Sequence, residues 1–169
     1  MKERFLKTVD LLSLQAGNFG AVLTAIAIVI MIPEVTARYI FGFSFISIQD
    51  LVWFLCGAMY AIGGAYTTMK NGHVNVDVVY SQLRMRSRAI LDVVSFPFVL
   101  LFLVPLLWQG SLGFWDSAKT LEQTVAPWGG PVWLFKLSLP VGTFLIILAE
   151  LAKFIRSIDS MKKEGSHVR

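Results

Sequence analysis

The side chains able to do chemistry in this sequence are few and far apart. Cys56 is the single cysteine, and disulfide exchange needs two. A small apolar filler is its expected role. The two histidines stand at a loop start (His73) and in the C-terminal tail (His167), where they cannot clamp a haem between helices. No cluster has metal-ligand spacing, no glycine-rich phosphate loop follows a strand, and no Ser-His-Asp set can be placed. The residues point away from an enzyme and ask for no cofactor or metal.

What remains is a handful of ionisable groups beside apolar runs. Glu34 and Arg38 lie one helical turn apart with the carboxylate N-terminal, the favoured order. Two readings fit them: a local ion pair that eases insertion, or a bond from one of them to a partner subunit. Asp50 opens an apolar run at its N-terminal end, where a helix dipole stabilises a carboxylate; a cap and a partner contact fit equally. Glu150 precedes Lys153 by one turn and suits a simple ion pair, although it too is a candidate interface residue. Lys136, alone in its run, has a stem long enough to snorkel.

The elements that carry these groups are set by where charge is missing. Residues 11–33, 51–69 and 93–115 contain no Asp, Glu, Lys or Arg, and between Glu122 and Glu150 Lys136 is the one exception. About 20 apolar residues in a helix cross roughly 30 Å of hydrocarbon. None of the runs shows the polar face of a soluble helix. With 56% hydrophobic residues, the chain reads as an all-α integral membrane protein. It is expected to form one membrane domain over 1–169, with spans near 17–39, 51–69, 90–115 and 132–153. The basic start (Lys2, Arg4, Lys7) could open a signal peptide, but the apolar run is long and no small-x-small site follows it. It is expected to remain as the first span.

Four spans sort the fifteen Lys and Arg residues into twelve on the side of the termini and three, Arg38, Lys119 and Lys136, on the other. Basic loops stay in the cytoplasm, so both termini are expected inside, with the net charge of +4 marking topology and attraction to anionic lipid, not nucleic acid. Trp53, Trp108, Trp115, Trp128 and Trp133 fall towards the outer side as an interface belt would. The stretch KNGHVNVDVVYSQLRMRSR (70–88) spaces Val76, Val79, Tyr80 and Leu83 helically, with Asp77, Arg84 and Arg88 on another face. It is expected to form an amphipathic interfacial helix over about 75–88, anchored by His73, Asp77, Arg84, Arg86 and Arg88. The alternation over 74–78 also fits a strand, which would lack a pairing partner.

Ion or anion transport needs polar groups or broken helices near mid-bilayer. The midplanes, near Ile28, Tyr60, Leu103 and Gly142, offer threonines, glycines, prolines and Tyr60 but no charge. Any solute path therefore belongs to another polypeptide. Pro97, Pro105 and Pro140 are expected to kink their helices. Gly57, Ala61 and Ala65 form a small-residue ridge for close helix contact, within this chain or with a neighbour. Two rival classes are an autonomous proton-coupled four-span exporter using Glu34 and a four-helix redox protein. The neighbouring Arg38 argues against the first, the cysteine and histidine counts against the second.

RYIFG after the first span, an acidic residue opening the second and GHVNVD after it resemble the small membrane subunit (DctQ-type) of tripartite ATP-independent periplasmic (TRAP) transporters. The likeness covers nearly the whole chain and puts Arg38, Tyr39, Asp50, His73 and Asp77 at that family's recurrent positions. Where the family commonly has Trp and Glu before the second span, this chain has Ser47-Ile48-Gln49-Asp50, and the shorter acid puts a contact made by Glu in doubt. The segment with Glu122, Pro127, Trp128, Pro131, Trp133 and Lys136 resembles the branch handling varied organic anions. The resemblance implies a scaffold in a bacterial or archaeal inner membrane beside a large elevator-type subunit that carries sodium and substrate. A periplasmic binding protein would deliver the solute, and the loop from Trp115 to Trp133 either contacts that protein or serves only as interface belt.

Overall fold

The computed structural model of the protein describes residues 2–70 and 85–167; the side chains of 85, 86, 89 and 162–167 lie outside that description. Among the described residues, four helices are long and apolar enough to cross a membrane. The first, α1 (Lys2–Thr36), runs about 52 Å at 1.5 Å per residue, well past a hydrocarbon core of about 30 Å. Its continuation is a π-helical turn, Ala37–Phe41. Pro33 lies just upstream and supplies no N–H to the carbonyl of Val29, so the regular ladder is already broken there. Gly42 ends the turn with φ of +72°, the left-handed cap that a residue with a Cβ adopts at a cost. The second helix, α2 (Ile46–Met69), follows at once.

After the undescribed segment comes α3 (Met85–Thr120), unbroken through both Pro97 and Pro105. The expected interfacial helix over 75–88 falls mostly outside the described residues; its last four residues form the first turn of α3. A tight connection over 121–131 then folds on itself, with Thr124 N–H donating to Gly130 O at 2.8 Å and Val132 N–H to Glu122 O at 3.0 Å. The fourth span is split into α4 (Val132–Lys136) and α5 (Ser138–His167). Pro140 accounts for the break, since it has no N–H for the carbonyl of Lys136 four residues earlier.

The helices join in the series α1–α2–α5–α3, with a lesser contact between α1 and α5. This is a row, not a ring: α3 packs against α4 and α5 and has no comparable contact with α1 or α2 among the described residues. Where the row is tightest, side chains are smallest. Ala16, Ala27, Ala65, Ala149 and Ala152 are buried, and a Cβ placed on Gly142 of α5 would stand 2.1 Å from the carbonyl oxygen of Ala61 on α2. Membrane helices associate this way because lipid tails solvate large apolar side chains as well as a protein interior does. Phe98, Leu101, Phe102 and Trp108 of α3 accordingly point outward. Several hydroxyls within the spans are satisfied by their own helix: Thr24 donates to Gly20 O, Ser111 to Leu107 O and Thr143 to Leu139 O, each at 2.7–2.8 Å.

Candidate functional site

The polar groups that could act gather at the two ends of the row. At the end carrying the connections 42–45 and 121–131, the loop end, Glu34 is the largest fully buried side chain among the described residues, with no exposed surface. Its Oε1 accepts from Arg38 Nη2 at 2.6 Å and from Ser44 Oγ at 2.9 Å, while Oε2 accepts from the backbone N–H of Phe45 at 2.9 Å. Phe45 is the residue that caps α2, so a carboxylate on α1 fixes the start of the next helix. The local ion pair expected for Glu34 and Arg38 is present, and Glu34 adds two donors that sequence spacing did not suggest.

Asp50 is the second acid of this end. It is the fifth residue of α2, which starts at Ile46, so it is not a cap. Its Oδ2 instead accepts from Thr124 Oγ1 at 2.7 Å and from Trp128 Nε1 at 3.0 Å. The indole of Trp128 also meets Phe54 edge-on, and Phe54 stacks on Phe135 of α4 with ring centres 4.3 Å apart. Trp128 is thus folded back as a wedge between the 121–131 connection and α2. A third knot binds the same connection to the helices beside it: Glu122 Oε2 takes both Lys136 Nζ and, at 2.6 Å, Ser117 Oγ. Lys136 spends its charge on Glu122. These two donors, Lys136 first, hold the Glu122 carboxyl below its ordinary value of 4.5.

The opposite, terminal end is tied across helices as well. Arg156 of α5 grips Asp10 of α1 through both oxygens at 2.6 and 2.7 Å, and Lys2 pairs with Asp159. The ion pair shown at Lys153 reaches Asp92 on α3 at 3.0 Å, where Ser157 also donates at 3.1 Å. The sequence suggested Glu150, one turn away on the same helix, as the partner; Glu150 is half-buried with an interaction of its own. Arg88 lines the same region, Arg86 lies in the first turn of α3, and His73, Asp77 and Arg84 are outside the described residues.

Mid-depth is different. A groove of about 300 Å³ between α1 and α2 is lined by apolar side chains with Thr24, Cys56 and Tyr60 as its polar members, and no charge reaches it. Among the described residues no three His, Cys, Asp or Glu side chains group as a metal site would require. Of the suggested interface residues, Ala65 is buried and Ala61 packs on Gly142, so two members of the small-residue ridge serve this chain's own packing. Gly57 is open. It continues a bare stripe on α2 with Trp53, 73% exposed, and Tyr60, 76% exposed, at i, i+4 and i+7. Tyr39 is more exposed still, at 84%. Trp108 and Trp115 are exposed on α3, whereas Trp133 is half-buried on α4.

Four spanning helices with a small-residue core, outward-facing large apolars and polar knots at both ends define a multi-pass helical membrane protein. Residues 27–160 match the family of tripartite ATP-independent periplasmic transporters, DctQ component, and the chain belongs to that family. It is therefore the small component of a TRAP transporter, a transport family and not an enzyme family. No curated protein matches the chain.

Proposed function

We propose that this chain is the stationary scaffold of its transporter. It holds a large elevator-type subunit in the inner membrane, with both termini cytoplasmic, and does not itself bind the organic anion. The carrying observation is the placement of charge: the five ion pairs named above lie at the ends of the row, three of them bracing one helix against another, while the mid-depth groove is uncharged. A sodium or anion path at mid-bilayer needs ionisable groups or broken backbone there. Sodium coupling and substrate choice accordingly belong to the large subunit, and solute arrives on a periplasmic binding protein. Glu34 supports the same reading against an autonomous exporter, because its carboxylate is engaged by three donors that hold a helix junction.

The bare stripe Trp53–Gly57–Tyr60 is the surface we assign to the large subunit, with Tyr39 and Arg38 at its loop-end margin. A residue without a side chain between two flat rings offers a neighbouring helix close approach. Reconstitution tests the scaffold role. Proteoliposomes holding this chain alone are expected to take up no organic anion under a sodium gradient. Adding a large TRAP subunit and its binding protein is expected to restore uptake. Gradient-driven uptake by the chain alone overturns the proposal.

A further inference from the structure

Gln109 sits on the flank of α3 that faces away from α5. It is exposed, as are Phe98, Phe102, Pro105 and Gly113 around it, and among the described residues its carboxamide has no hydrogen-bond partner. The buried residues of α3, Leu103, Gly110 and Ser117, lie on the other side, with Gly110 against Leu139 and Pro140 of α5. The depth of Gln109 is what makes the bare amide costly. Asp116, the nearest charge along the helix, is seven residues further on, about 10 Å of rise. Side chains on a helix lean toward its N-terminus, so Gln109 is directed back toward Pro105 and deeper into hydrocarbon. Asn18 of α1, at a comparable remove from Asp10, leans the other way, toward its near surface. An amide with neither water nor a partner is strongly disfavoured in lipid.

We infer that this flank binds the same flank of a second copy of the chain, Gln109 to Gln109, about a two-fold axis along the membrane normal. A carboxamide both donates and accepts, so two of them satisfy one another through a reciprocal pair of hydrogen bonds. Copies inserted the same way hold Gln109 at the same depth, which sets the register of a two-fold contact. Pro105 and Gly113, one turn to either side, present little side chain, and a Cβ on Gly113 would meet nothing within 4 Å. This ridge at i, i+4 and i+8 lets two helices cross closely at the glutamine. Beyond the crossing the flank carries both signs of charge, Asp116 and Lys119, so the copies do not meet like charge alone. Lipid tails would cover the apolar part of the flank equally well but offer the amide nothing. The stripe assigned to the large subunit is on α2, which has no comparable contact with α3 among the described residues, so one copy can hold both partners. This inference rests on the membrane-spanning fold and not on the scaffold role, so either can fail alone.

The test uses the full-length chain in phosphatidylcholine vesicles, with donor and acceptor dyes on the N-termini of separate preparations and energy transfer followed as protein is diluted into lipid. Transfer well above the random-encounter level is expected for the wild type. Gln109→Leu should weaken association about fivefold, the scale of an interhelical hydrogen bond in a bilayer. Gln109→Asn, which keeps the carboxamide, should recover most of it, and Asn18→Leu on α1 should change nothing. Should Gln109→Leu fail to fold, cysteine cross-linking decides with Gln109 in place. In a Cys56→Ser background, Leu112→Cys on the same flank should give a covalent dimer on oxidation, and Val29→Cys, exposed on α1, should not. Random-encounter transfer in the wild type, transfer unmoved by Gln109→Leu, or equal cross-linking at the two cysteines overturns the inference. So does loss of the large subunit from Gln109→Leu while wild-type copies stay apart, which would give the flank to that subunit.

Discussion

The indole nitrogen of Trp128 donates to the carboxylate of Asp50 at 3.0 Å, across 78 positions of sequence. Together with the Thr124 hydroxyl on the same oxygen, it pins the 121–131 connection to α2. Asp50→Ala leaves both donors without an acceptor, a loss of about 1 kcal/mol or more for a half-buried site. Faster hydrogen exchange at the Thr124 and Val132 amides in Asp50→Ala is the expected result. Trp128→Phe keeps an aromatic ring beside Phe54 and should loosen the connection less. Unchanged exchange in both variants would show that the connection holds itself.

Glu34 and Arg38 behave as one unit. Removing the acid alone strands the guanidinium, Ser44 and the Phe45 amide; removing the arginine alone leaves a buried carboxylate short of its strongest donor. Glu34→Leu and Arg38→Met should each lower the melting temperature in detergent, and the double variant should lose less than the sum. Full additivity would mean that the two side chains act separately.

The Glu122 knot gives a pH signature. Lys136 and Ser117 lower this carboxyl in the folded protein, so ionised Glu122 stabilises the fold at all pH above its ordinary 4.5. That contribution falls as pH drops through the lowered folded value. The melting temperature of the wild-type protein should therefore exceed that of Glu122→Gln at pH 7, with the gap closing as pH is lowered below 4.5. Lys136→Gln should narrow the gap at neutral pH. A gap that widens in acid contradicts the assignment.

Gly142 and Gly57 make a contrasting pair. A methyl on Gly142 would collide with the backbone of Ala61 and force α2 and α5 apart, at about 1–3 kcal/mol for overpacking. A methyl on Gly57 meets nothing. Thermal unfolding should thus detect Gly142→Ala and not Gly57→Ala. Gly57→Leu, neutral in the isolated chain, should reduce co-purification of the large subunit; undiminished co-purification would move the partner surface off this stripe.

How much of this could be read from the residues follows from range. The spans were legible because leaving charge out of hydrocarbon is a local requirement, visible as the gaps 11–33, 51–69 and 93–115. The Glu34–Arg38 pair was legible because a helix sets i,i+4 neighbours. What joins helices was not. Nothing near Asp50 points to Trp128; the tryptophan reads as one of five belt residues until the connection lays its indole nitrogen against Asp50. Lys153 has an acid one turn away, which hides Asp92 on another helix. Pro33 was the available sign of the π turn, since it alone among the residues before Gly42 withdraws a backbone donor.

A series of helices held side by side, unlike a closed bundle, has margins. Among the described residues the outer flank of α3 terminates the series of contacts without a comparable return to α1, so the described helices are one deep there and show the bilayer two broad sides. A companion can be laid along such a slab, or added to its margin, without prising anything open. The assembled complex would then grow in width within the plane of the membrane while its depth stays that of a single layer.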